Sequence, residues 1–370
     1  MKCSRHYGLS LFIAVIAAAI SLPSFAADLP QELPDPDGKP ADMSKPVQVF
    51  ILLGQSNMVG AGKIGPADKD GSLEHAVKEK GKYPYLIDDD DNWTVRQDVR
   101  NVRVMGSGGA DAGSREFNNE FMTVKGRSIG PEYGIGHALG EAIDAPVMIL
   151  KSCIGNRSLA WDMLPPGSER KEYEVTDKKT GEKKTVVTPA YHDKVRYPSW
   201  DKGAEPEEPK HNWYAGLQYD GDIARAKQVL ADLEKYYPGA KEYEIAGFFW
   251  WQGDKDRYNE AHAAFYEQNL VHLIKQLRKD FDAPNAKFVC ATLGQTEKGA
   301  EGNEGKILEG MLAVDGNSGK YEDFKGNVAT VYTHPLSLGG ASNSHYGGNA
   351  ETYMNVGEAM GRAMAKMIQE

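Results

Sequence analysis

The sequence predicts an α/β fold: a mostly parallel sheet of about five strands, with helices on both faces in three layers. Two observations carry this. Short runs of strand-forming apolar residues recur along the chain, and segments with apolar residues at helical spacing separate them. Strands that alternate with helices pair in parallel through crossovers, which cover both faces. A third observation bounds the answer: the 370 residues contain no internal repeat and no low-complexity tail, which suits one large domain.

The elements follow in order. Lys2 and Arg5 open a positive start, Leu9 to Leu22 is mostly apolar, and Ser24-Phe25-Ala26 is a small-x-small site. This reads as a signal peptide over 1–26, cleaved after Ala26, and implies a secreted or periplasmic protein. A retained anchor is the alternative, but the apolar run is shorter than the ~20 residues a spanning helix needs. Residues 27–45 are rich in Pro and Asp and read as an extended lead-in; the main domain is expected over 46–370. Strand one is 47–53. The polar stretch that follows carries Asp88-Asp-Asp-Asp91, which lacks the alternation of a calcium loop and reads as solvated. Residues 131–143 show helical spacing, and Pro146–Leu150 reads as a second strand. Residues 165–212 form a charged, aliphatic-poor insertion, with a hairpin expected around Thr180-Gly181. Ile223–Tyr237 is a predicted helix, Tyr243–Trp251 a strand, Ala261–Phe281 a helix, Lys287–Leu293 and Val328–Tyr332 strands, and 350–368 the closing helix.

Charge excludes some functions. The formal net charge is −10, and loss of Lys2 and Arg5 with the leader makes it more negative. Such a surface argues against nucleic acid and anionic membranes as partners. Only Cys153 and Cys290 follow the leader, both in apolar contexts, and they read as buried free thiols, with a single bridge as the alternative. No metal is expected, since His-x-x-His, His-Glu-x-x-His and Cys/His clusters are missing. No cofactor is expected either: the first strand lacks a Gly-x-Gly-x-x-Gly, and Gly134-x-Gly136 has only part of that fingerprint. The sequence does not fix an oligomeric state.

The most informative stretch is Val47-Gln-Val-Phe-Ile-Leu-Leu-Gly-Gln-Ser-Asn-Met58. A buried strand ends abruptly and presents one hydroxyl at its tip. Ligands bind beyond the carboxyl ends of strands in such sheets, so Ser56, Gly155 and Asp254, each just after a predicted strand, are expected on one rim. A serine there acts as a nucleophile if a base removes its proton. His345 lies in a polar loop between the last strand and the closing helix and is the leading base; His334, just past the fifth strand, is its competitor.

Four blocks together resemble the carbohydrate-esterase branch of the SGNH hydrolases, which includes sialate O-acetylesterase-like and acetylxylan esterase-like proteins. They are Gly54-Gln-Ser-Asn-Met58; Ser128-Ile-Gly-Pro-Glu-Tyr-Gly134 with Leu150-Lys-Ser-Cys-Ile-Gly-Asn-Arg-Ser-Leu159; Phe248-Phe-Trp-Trp-Gln-Gly-Asp-Lys-Asp256; and Ser344-His-Tyr-Gly-Gly348. They occur in the family's order and span roughly residues 45–368. The resemblance implies a flavodoxin-like sheet and a serine esterase that removes O-acetyl groups from a glycan without a cofactor. It implies Ser56 as nucleophile, His345 as base, and an oxyanion hole from Ser56 and Gly155 backbone N–H with the Gln252 side chain. Gln55, Asn57, Asn156 and Arg157 are expected around the substrate, with Gln55 and Asn57 bracing the loop. Arg157 suits an acidic sugar group or an internal salt bridge. Trp200, Trp213, Tyr214 and Tyr219 either stack on sugar or pack the insertion onto the body.

The sequence departs from the family at one point. SGNH enzymes place Asp three residues before the histidine, and here that position is Ser342. Asp254 is therefore expected to orient His345, with Asp256 as fallback or as a helix cap. Because of this departure, the alternative to an esterase is a non-catalytic glycan-binding protein derived from one.

Overall fold

The computed structural model describes residues 29–177 and 180–370. The expected signal peptide and Cys3 lie outside the described residues. The central sheet has seven strands in the order 328–331, 287–291, 243–251, 47–54, 147–152, 96–105, 115–122. All neighbours pair in parallel except the last two, which are antiparallel. The architecture is the expected one, with two more strands than expected. Both additions are polar in sequence. Arg96–Met105 buries Arg96 and Arg100 because each guanidinium finds acceptors, Asp98 and the His137 carbonyl for Arg96, the Tyr236 carbonyl and Asn119 for Arg100. Arg115–Met122 is the edge strand, and only Met122 in it is fully buried.

The first strand, Val47–Gly54, sits in the middle and is almost wholly buried. Its side chains alternate between two cores. Phe50 and Leu52 join helices 132–142 and 350–369 on one face, through Ile135, Leu139, Met354 and Met360. Val49, Ile51 and Leu53 join helices 217–231 and 266–280 on the other, through Val229, Leu270, Ile274 and Leu277. The helix read as Ala261–Phe281 breaks at Phe265 into Glu260–Ala264 and Tyr266–Asp280. The one read as Ile223–Tyr237 starts earlier, at Leu217, and stops at Asp232. A further helix, Gly302–Ala313, forms despite its three glycines.

The insertion holds the hairpin expected there: Lys171–Thr176 pairs antiparallel with Lys183–Thr188, and Trp200–Asp201 adds a third strand. The described part of the lead-in, from Leu29, has no helix or strand before Val47, yet Leu33 is buried in the core and Arg362 donates to the carbonyls of Leu29, Pro30 and Gln31. Cys153 and Cys290 are free and buried. Among the described residues, no helix is long and apolar enough to cross a membrane.

Candidate active site

Parallel pairing sets Gly54, Trp251 and Ser152 at one edge of the sheet, and the candidate residues follow them. Ser56 opens a one-turn helix, Ser56–Val59, directly off the central strand. The Gly155 loop comes against it. A methyl group at Gly155 would lie 3.3 Å from Ser56 Cβ, so the absent side chain is what lets the two backbones approach. Asn156 follows in a left-handed conformation, with φ 58°, and is exposed. The next residues are tied down hard. Ser158 N–H and Oγ both donate to Asp162, and Leu159 and Ala160 N–H donate to the two oxygens of Asp256.

Gln252 reaches into the same network. Its Nε2 has Asp256 Oδ2 at 2.6 Å, the Arg157 carbonyl at 2.9 Å and Gln55 Oε1 at 3.2 Å, and its Oε1 accepts from Tyr266. Gln55 Oε1 also accepts from Lys255 N–H. The Gln252 amide is thus engaged by protein acceptors in this structure and is not presented as a free oxyanion donor. Gln55 ties the serine turn to the 252–255 segment and is buried rather than offered to a ligand. Asn57 is fully buried, and neither atom of its amide has a partner. Asp256 does not cap the following helix; Asn259 does, accepting from Ala261 and His262 N–H.

His345 is half-buried on a turn that packs against the serine helix. His345, Tyr346 and Gly347 have φ of 52°, 54° and 63° in succession. For His and Tyr that is an unfavourable conformation, sustained only by surroundings that over-determine it. Tyr346 supplies the anchor. It is fully buried, stacks on Trp251 at 5.7 Å, and its hydroxyl accepts from Gly294 N–H. Nothing in the sequence marked Tyr346 for this task except its place next to His345.

No carboxylate of a described residue pairs with the His345 ring. Asp254 is close by another route: its Oδ1 accepts the Ser342 hydroxyl at 2.6 Å and Arg257 Nε at 2.9 Å, and Arg257 also bonds Glu304. The carboxylate is therefore held on the His345 loop, three residues from the histidine, without a bond to the imidazole. His334 is occupied elsewhere, with Nδ1 on the Gly294 carbonyl at 2.8 Å and Nε2 3.2 Å from Glu297.

Arg157 lies over the Trp213 ring, 5.2 Å from its centre, and bonds Ser107 Oγ, Gln218 and the Asn156 carbonyl. Among the described residues it forms no salt bridge. Tyr219 is buried and bonded to Asp280, and Trp200 packs under Arg170, so these two aromatics serve packing. Trp213 and Tyr214 stay half-buried.

A seven-stranded α/β sheet thus brings together a serine just past its central strand, a close glycine loop and a histidine turn. Residues 199–366 match the model of a carbohydrate esterase family, sialic acid-specific acetylesterase (SASA). That segment, a little under half of the chain, is similar to these carbohydrate esterases. No curated protein sequence matches the chain. Among solved structures, an Arabidopsis thaliana protein is similar at 18% identity and a TM-score of 0.46, over 86% of this chain and 98% of that one. A carbohydrate acetylesterase from Xanthomonas citri is similar at 13% identity and 0.45, over 85% of this chain and 55% of that one. NanS is similar at 13% identity and 0.40, over 80% and 79%.

Proposed function

We propose that this protein is a serine esterase that removes O-acetyl groups from a carbohydrate. The observation that carries the reading is the convergence of three elements: Ser56 at the strand tip, Gly155 against it, and the strained His345 turn packed on the serine helix. Ser56 Oγ attacks the acetyl carbonyl while His345 takes its proton. The Ser56 and Gly155 N–H groups stabilise the oxyanion. His345 then protonates the departing sugar alkoxide, and water activated by the same imidazole frees acetate from Ser56. Asp254, bound to Ser342, supplies negative charge to the histidine loop and orients His345 from there. Asn156 and Arg157 flank the acetyl site on the sugar side. The leader read over 1–26 makes the enzyme secreted or periplasmic on this reading.

One observation favours a second reading. The missing carboxylate at the His345 ring is what a glycan-binding protein derived from an esterase would show. The two are separated by p-nitrophenyl acetate. The esterase releases nitrophenol, and Ser56→Ala does not; equal background rates from both proteins leave the binding reading. Acetate release from a panel of acetylated polysaccharides and acetylated sialic acids then identifies the glycan.

A further inference from the structure

The block Ser128–Gly134 and Lys151 take no part in the mechanism above, yet they meet directly beneath the nucleophile. Lys151 is paired with Leu52 of the central strand, close to the carboxyl end of both strands. Its side chain is 1% exposed, and that of Glu132 is 7%. Lys151 Nζ donates to Glu132 Oε2 at 2.5 Å and to the Val59 carbonyl at 3.0 Å. Val59 is the last residue of the one-turn helix that begins at Ser56. Glu132 Oε1 completes the link by accepting Gly130 N–H. Gly130 in turn touches the residue after the helix: a methyl group at Gly60 would lie 2.3 Å from Gly130 Cα, and Gly60 has φ 95°.

A buried ion pair is a weak source of stability, because desolvation offsets much of its attraction. An apolar pair of similar volume fills such a space as well. What an apolar pair lacks is a donor for the Val59 carbonyl. A helix of four residues cannot hold its own ends, since its terminal carbonyls have no partner within it. The position of Ser56 then depends on what grips the far end of that turn.

We infer that Glu132 and Lys151 are a positioning pair that fixes the Ser56 turn through the Val59 carbonyl. The inference rests on the reading of Ser56 as nucleophile. Neither residue touches substrate; both act through the backbone of residues 56–60.

The test uses two variants of the full chain: Lys151→Met/Glu132→Leu, which keeps the site neutral and filled, and Glu132→Asp, which draws the carboxylate back by one methylene. Displacement of a catalytic group by about 1 Å costs on the order of 10²-fold in rate. The double variant should lose about that much in kcat on p-nitrophenyl acetate with KM within about twofold, and Glu132→Asp about tenfold. Glu351 pairs with Lys80 and Lys82 and bonds no residue of this turn; breaking that pair by Glu351→Gln lowers stability and should leave kcat unchanged. Hydrogen exchange over residues 55–61 gives a readout independent of turnover, and both variants should exchange faster there than the parent. Parental kcat in either variant overturns the inference. So does exchange over 55–61 in both variants equal to the parent's; if the parent proves to have no esterase activity, the activity reading fails on its own and the exchange comparison still decides the positioning.

Discussion

The Ser342 hydroxyl donates a 2.6 Å hydrogen bond to the Asp254 carboxylate across 88 residues of chain. Ser342 stands three residues before His345, where the sequence resemblance led an acid to be expected, and Asp254 comes from the block after the central-sheet strand Tyr243–Trp251. The serine does not replace the acid; it binds one. The acid charge is thus kept on the histidine loop, and it is further fixed by Arg257 at 2.9 Å.

This relationship makes the first prediction. Asp254→Asn should lower kcat/KM on p-nitrophenyl acetate by up to ~10⁴-fold, the scale seen when an orienting acid is neutralised. Ser342→Ala removes a tether but no charge and should cost less than about tenfold. Ser342→Asp in the Asp254→Asn background restores a carboxylate on the loop and should recover at least about tenfold. Near-parental activity of Asp254→Asn would assign that residue to the Arg257–Glu304 network alone.

Ser56 and His345 are predicted to fail together. Ser56→Ala and His345→Ala should each lose several orders of magnitude while melting near the parent, since members of such a unit are grossly non-additive. His334→Ala should keep most activity, because that ring is committed to Gly294 and Glu297. A fluorophosphonate probe should label the peptide carrying Ser56. A labelled peptide elsewhere, or the reverse ranking of the histidines, moves the assignment.

Arg157 is predicted to act on the sugar and not on the acetyl group. Its guanidinium is held over Trp213 by Ser107 and Gln218, and among the described residues no carboxylate forms a salt bridge with it. Arg157→Ala should raise KM for the glycan substrate about tenfold or more, as loss of a charge-assisted hydrogen bond would, and leave p-nitrophenyl acetate hydrolysis within about twofold. Equal losses on both substrates would make it a brace for the Gly155 loop instead.

What could be read from the sequence follows from what is local. The five apolar strands and the serine at the tip of the first were legible because burial on both faces leaves a continuous apolar run. Arg96–Met105 was not legible. Its arginines look solvated until Asp98, Tyr236 and Asn119, most of them distant in sequence, are known to receive them. The helix Gly302–Ala313 hid behind Gly302, Gly305 and Gly310, whose propensities argue against a helix that packing imposes. Gly155 was legible as a residue of the serine's rim, but its approach to Ser56 depends on how the two loops fold together. The engagement of Gln252 by Asp256, Arg157 and Gln55 was not, since it depends on three segments meeting. The Ser342–Asp254 bond was invisible for the same reason, although the missing acid at 342 did direct attention to Asp254.

Asp256 gives a prediction about pH. It is fully buried, and one oxygen accepts Ala160 N–H while the other accepts Leu159 N–H and Gln252. Burial pushes its carboxyl up to about 6 from 3.8, with those three donors pulling the other way. The folded value lies above the unfolded one, so between pH 3.8 and about 6 the folded state holds a proton that the unfolded state has released. Stability from this group therefore falls as pH rises through that window and is flat above it. Asp256→Asn does not titrate. Its amide offers one acceptor oxygen to three donors, which leaves a buried N–H unpaired at a cost of about 1–3 kcal/mol. The variant should melt a few degrees below the parent, and the Gly155–Ala160 loop should loosen with it. The difference in Tm between the two proteins cancels the titrating groups away from Asp256; His262, 3.6 Å from it, is pushed down to about 4 by burial and stays neutral over most of the window. It should be largest near pH 4 and shrink as the pH is raised past about 6. Melting curves of both proteins from pH 4 to 7 check this, and a difference that stays constant across the range would mean that Asp256 is already ionised in the fold at pH 4.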